Sequence, residues 1–113
     1  MITLYGINNC DTVRKARKWL DKNEVEFTFY DFKKQPLTAE ILSSFVEQSD
    51  WSLLLNKRST TFKQLSDDIK DNLTDQVMFD AVLAHPTLLK RPLLPLGEHL
   101  HLGFKEAQYQ ELF

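Results

Sequence analysis

Apolar positions change their spacing along the chain, and the changes divide it into elements. Ile2–Tyr5 is rich in β-formers and closed by Gly6, which predicts a first strand. Asn8 and Asn9 mark a turn or a helix cap. From Asp11 to about Lys22, Val13, Ala16, Trp19 and Leu20 recur at helical spacing, while Arg14, Lys15, Arg17, Lys18 and Asp21 point elsewhere. Val25, Phe27 and Phe29 then alternate with Glu26, Thr28 and Tyr30, the period of a second strand. Strand, helix and strand within about 30 residues form a βαβ unit, expected to be right-handed with parallel strands.

The middle of the chain has a different rhythm. Thr38 is placed to cap a helix whose inner face is Ile41, Leu42, Phe45 and Val46. Trp51 to Leu55 is an apolar turn that reads as core. Asn56-Lys57-Arg58-Ser59-Thr60 is a polar loop before a short helix around Phe62 and Leu65. Thr74 caps a further helix carrying Val77, Ala81 and Val82, which must end near His85 because Pro86 follows. Asp67, Asp68, Asp71 and Asp75 read as a solvated face. Leu93, Leu94 and Leu96 then form a strand broken by Pro95, which argues for an edge or a bulge. Gly97-Glu98 is a tight turn, His99–Leu102 alternates as the partner strand, and a last helix runs near Lys105–Leu112.

The order is strand, helix, strand, helical block, strand, strand, helix. It is an α/β arrangement of thioredoxin-like type: a mixed sheet with helices on both faces and an inserted helical subdomain. The sheet core is expected from residues 1–32 and about 86–113, with the insertion at about 36–85, all within one domain. A length of 113 residues suits that and allows a core without disulfide or metal staples.

Charge and cysteine usage narrow the chemistry. The chain has 14 basic and 16 acidic residues, a formal net charge of -2, so bulk attraction to nucleic acid or to an anionic membrane is not expected. MITLYGINNC is not a secretory leader and no apolar run approaches a membrane span, so a reducing cytoplasm is the expected location. The single cysteine, Cys10, excludes an internal disulfide, a multi-cysteine zinc site and a Cys-x-x-Cys pair. His99 and His101 share a strand face, but no third ligand accompanies them in the pattern, and no metal site is assigned.

Cys10 falls after a strand-closing turn, at the first turn of a helix. Free N–H groups and the positive end of the helix dipole favour a thiolate at such a position. Arg14 and Lys15 add positive charge nearby, and Asp11 opposes it. The alternative is a buried cysteine acting as a small hydrophobe. Arg58 and Arg91 are further candidates, because an arginine fork binds carboxylates and oxyanions bidentately.

The segments YGINNCDTVRKARKWL, LLNKRSTTFKQL, HPTLLKRPLL and GFKEAQYQELF together resemble the arsenate reductase-related (ArsC/Spx) family, in its small YffB-type branch. The resemblance spans essentially the whole chain. It implies that Cys10 is the active-site thiol, that Arg58 and Arg91 are anion-side arginines, and that Pro92 is a cis-proline beside the thiol. Two positions depart from the pattern. Arsenate reductases of the family carry a further arginine after the final hairpin, where this chain has Gly103; Spx-type regulators carry Cys-x-x-Cys, where this chain has Val13.

The resulting expectation is a glutathione-dependent monothiol reductase. Cys10 would attack a small oxidised or disulfide substrate, and glutathione or a glutaredoxin would resolve the adduct. Arg58, Arg91 and Arg14 would bind the anion and Pro92 the thiol partner, with glutathione as co-substrate and no bound cofactor. The alternatives are an Spx-like regulator that binds RNA polymerase and a genuine arsenate reductase.

Overall fold

The computed structural model describes residues 2–113. They form two compact units. The first takes the described residues up to Pro36 together with Arg91–Phe113; the second is Leu37–Lys90.

The first unit is built on a four-stranded sheet. It contains β1 (Ile2–Gly6), α1 (Asp11–Lys22), β2 (Phe27–Asp31), β3 (Leu93–Leu96), β4 (His99–Leu102) and α7 (Glu106–Leu112). The strand order is β2-β1-β3-β4. β1 and β2 run parallel, with Leu4 opposite Phe29 and Gly6 opposite Asp31, as the βαβ pattern predicts. β3 is antiparallel to both neighbours, pairing with β1 at Tyr5 and Leu93 and with β4 from Leu93–Leu102 to Leu96–His99. The mixed sheet and its helices match the expected α/β, thioredoxin-like class.

One buried cluster holds these elements together. Leu4, Ala16, Trp19, Leu20, Leu94 and Tyr109 form its centre, and Phe27, Phe29 and Phe104 pack against it. The helical face read from the sequence is the one that α1 buries: Val13, Ala16, Trp19 and Leu20. Each large apolar side chain fully removed from water contributes about 1.5–3 kcal/mol before entropy is charged against it. Tyr109 meets Trp19, His101 and Phe104 edge-on, with ring centroids 5.5, 5.4 and 4.6 Å away.

Two sequence expectations change here. Val25 is not in β2, which starts at Phe27. It closes α1 instead: its N–H donates to Leu20 O at 2.9 Å and the Glu24 N–H to Asp21 O at 3.1 Å. This is a Schellman ending with Glu24 in the left-handed region at φ 57. β3 is an interior strand rather than an edge. Its pairing with β1 involves only Leu93, so Pro95 lies beyond that ladder and its missing N–H interrupts no bond to β1.

The second unit is helical: α2 (Ala39–Gln48), α3 (Trp51–Leu54), α4 (Thr60–Lys63), α5 (Asp67–Asp71), α6 (Asp75–Ala84) and a 3-10 turn at Pro86–Leu88. Side-chain caps explain five of the starts. Thr38, Asp50, Ser59, Ser66 and Thr74 each accept an N–H from three residues on. α6 stops at His85, as the following proline requires. α5 carries Asp67, Asp68 and Asp71 at its solvent face, a short helix that the charge pattern alone does not announce. Trp51–Leu55 is only partly core: Leu54 and Leu55 are buried, whereas Leu53 is exposed. Leu55 and Leu89 form an isolated antiparallel bridge, flanked by Asn56 N–H to Leu88 O and Lys90 N–H to Leu54 O, both 2.8 Å.

Candidate active site

The register of the sheet gathers several chain segments at one end. β1 leaves there through Gly6, β2 through Asp31, and β4 through Leu102, while β3 enters there at Leu93. Cys10 follows the first of these exits, and Arg91 and Pro92 precede the last. Topology therefore brings Cys10, Arg91 and Pro92 to the same end of the first unit.

The approach to Cys10 is shaped by close packing. An added Cβ on Gly6 would lie 2.8 Å from Val13 Cγ2, so only glycine lets the strand pass this near α1. Val13 is fully buried. Beyond Gly6 the chain turns, with the Cys10 N–H pointing to Ile7 O at 3.4 Å, and Phe32 N–H bonds to Gly6 O at 2.9 Å. Cys10 is the N-cap of α1 in extended conformation (φ -100, ψ 126), and its side chain makes no capping hydrogen bond. Its carbonyl accepts the Arg14 N–H at 2.9 Å, the first helical bond. The earlier N–H groups of the turn have no helical acceptor, so this end of α1 stabilises negative charge. Cys10 is a free thiol of intermediate exposure.

The arginines are held differently from one another. Arg14 pairs with Asp11 and also reaches Asn8 O at 3.5 Å. Both partners of the ion pair are well exposed, so it contributes little to stability. Arg91 is half-buried with its Nε enclosed. The Arg91–Pro92 peptide bond is cis, and Pro92 is buried. Gly103 N–H donates to Pro92 O at 2.9 Å and ties this segment to the exit of β4. Arg58 belongs to the second unit, exposed on the loop before α4, where its N–H donates to Asn56 Oδ1 at 3.2 Å.

Several features escaped the sequence reading. Asp31 is buried at the strand end, accepting the Lys33 N–H at 2.9 Å. Its place closing an aromatic strand before Lys33-Lys34 was the available signal. Gly103 has φ +77, a backbone state that glycine adopts readily and side-chain-bearing residues adopt only rarely. Asn8 accepts from Arg17, a partnership no local spacing announces.

His101 Nε2 and Tyr109 Oη are enclosed and make no hydrogen bond. Burial, with a smaller contribution from His99, pushes the His101 pKa below its ordinary value. Burial raises that of Tyr109. Among the described residues no group of three or more His, Cys, Asp or Glu is placed to hold a metal. Nor is any helix among them long and apolar enough to cross a membrane.

A mixed sheet entered by a cysteine at a helix start and by a cis-proline before β3 defines a thioredoxin-like protein with a thiol at the sheet's end. More narrowly, residues 5–112 match the ArsC family, and the chain belongs to it. The YFFB (PA3664) protein has the same fold with a TM-score of 0.92 and 37% identity, over 98% of this chain and 97% of that one. An arsenate reductase (ArsC) related protein from Brucella melitensis is 43% identical, with a TM-score of 0.79 over 97% of this chain and 92% of its own. The global transcriptional regulator Spx 1 of Lactococcus lactis is 35% identical over 96% of this chain and 85% of its own.

Proposed function

We propose that the protein is a glutathione-dependent monothiol reductase of the cytoplasm, with Cys10 as nucleophile. The observation that carries this reading is the placement of the only cysteine at the start of α1, free of capping bonds, at the sheet end entered by cis-Pro92. The Cys10 thiolate attacks one sulfur of a disulfide; a Cys10–S bond forms, the old S–S bond breaks, and the leaving sulfur departs as a thiol after taking a proton. Reduced glutathione, or a glutaredoxin thiol, then attacks the sulfur attached to Cys10, forming a mixed disulfide with it and releasing the Cys10 thiolate, and a second external thiol reduces that mixed disulfide. Two electrons pass from the external thiols to the substrate, and no bound cofactor takes part. Arg91 supplies a cationic fork for a glutathione carboxylate or an anionic substrate. The family motif gives Arg58 the same part, and the main chain beside Pro92 is the partner for an extended thiol peptide. Arg14, held by Asp11, contributes charge only if that pair opens.

Oxidised glutathione tests the reading. Mass spectrometry should find one glutathione on Cys10, removable by reduced glutathione and absent from Cys10→Ser. No adduct at millimolar reagent would sink it.

The identity to Spx 1 favours a second reading, a regulator that binds RNA polymerase. Equal capture of RNA polymerase by wild type and Cys10→Ser would establish it. A genuine arsenate reductase is less well supported, because Gly103 offers no oxyanion-binding fork.

A further inference from the structure

Arg17 lies midway along α1, beyond the helix start, yet it reaches back to the loop that carries Cys10. Its guanidinium carbon stands 4.3 Å from the centroid of the Phe29 ring, and its Nη1 donates to Asn8 Oδ1 at 2.6 Å. Phe29 is packed on β2 against the buried cluster, so the guanidinium lies over an anchored ring. Asn8 and Asn9 are exposed. The main chain is anchored at both ends of the loop, by Phe32 N–H to Gly6 O and Arg14 N–H to Cys10 O, both 2.9 Å, but within it Cys10 N–H to Ile7 O is 3.4 Å and Arg14 Nη1 to Asn8 O 3.5 Å. The Arg17 bond is thus a short side-chain contact that joins α1 and, through Phe29, β2 to Asn8 at the loop tip.

We propose that Arg17 is a positioning residue that acts on Cys10 through Asn8. The proposal rests on the reading of Cys10 as the reactive thiol. By pinning Asn8 to α1 and β2, Arg17 keeps the loop closed and Cys10 in its N-cap geometry over the helix start. The chemistry of the pair is directional. A guanidinium only donates, so the Asn8 carboxamide must turn its oxygen to Arg17. The same group also lies over the Phe29 ring, and a lysine ammonium, a point charge on a flexible stem, does not hold both contacts in one fixed geometry.

The test is the rate at which iodoacetamide alkylates Cys10 in the native protein, followed by mass spectrometry, with melting temperature recorded for each variant. Arg17→Ala and Asn8→Ala should each slow the reaction about threefold to tenfold, the factor one hydrogen bond supplies. The double variant should be no slower than the slower single variant, because both act through one contact. Arg17→Lys should behave as Arg17→Ala. Asn8→Asp keeps the acceptor oxygen and should react faster than Asn8→Ala, although its charge, like that of Asp11, opposes the thiolate. Melting temperatures should not move with these rates. Losses that multiply in the double variant, a wild-type rate in Arg17→Lys, or rates that follow melting temperature would each overturn the proposal. So would a wild-type Cys10 that iodoacetamide does not modify. Glutathione is absent from this experiment, so the proposal and the reductase reading can fail separately.

Discussion

At the scale of single residues, the site depends on what the backbone can approach. Gly6 matters because of Val13, not because of a turn. A methyl group there would sit 2.8 Å from a buried, β-branched side chain that cannot swing away. Gly6→Ala is therefore expected to destabilise the protein by about 1–3 kcal/mol, the usual cost of overpacking. Urea unfolding followed by circular dichroism measures it. The companion variant Gly6→Ala/Val13→Ala should recover part of the loss, because the clash is between these two side chains. Sequence alone showed Gly6 only as the end of a strand, and the close helix approach that requires it is a tertiary fact.

At the scale of elements, most of the pattern was legible because it is local. The face of α1, the caps Thr38 and Thr74, and the βαβ order follow from spacing and side-chain chemistry within a few residues. Val25 was misplaced because its apolar character continued the β2 alternation, while its N–H was needed by the end of α1. No glycine announced that ending, since Glu24 occupies the left-handed position. Glu24→Gly should accordingly stabilise the protein by about 1 kcal/mol, partly offset by unfolded-chain entropy. Thermal and urea unfolding should both shift upward; no shift would mean that Glu24 compensates its strain elsewhere. The contact of β4 with α7 leads to a pH effect. His101 on β4 faces Tyr109 of α7, and its folded pKa is lowered, first by burial and then by His99. The folded state therefore binds this proton less well than the unfolded state does. Stability is complete above the unfolded value near 6.5 and falls as pH drops through it toward the folded value. Urea midpoints from pH 8 to pH 5 should decline, and the decline should be smaller in His101→Gln. An equal decline in both proteins would assign the acid loss to other groups.

At the scale of the whole molecule, charge is divided unevenly between the units. The formal net of -2 conceals nine Lys and Arg against eight Asp and Glu in the first unit, a net of +1, and five against eight in the second, a net of -3. The total shows that the chain is not broadly cationic, but totals do not locate charge. The division that fixes these sums, after Pro36 and before Arg91, comes from packing. It sets a sign for the reaction of Cys10 with oxidised glutathione, which is a net anion. If the net charge of the molecule governed the encounter, added salt would screen a repulsion and speed adduct formation. If Arg91 and the positive first unit govern it, salt screens an attraction and slows the reaction. The screening length falls from about 30 Å at 0.01 M to about 8 Å at 0.15 M, so this range covers the change. The expected result is a fall of about twofold to fivefold across it, as for local electrostatic steering. A neutral disulfide, hydroxyethyl disulfide, should show no such slope, and Arg91→Ala should flatten the slope for glutathione. A rate that rises with salt, or an unaltered slope in Arg91→Ala, would remove Arg91 from anion recognition and leave Cys10 to act without it.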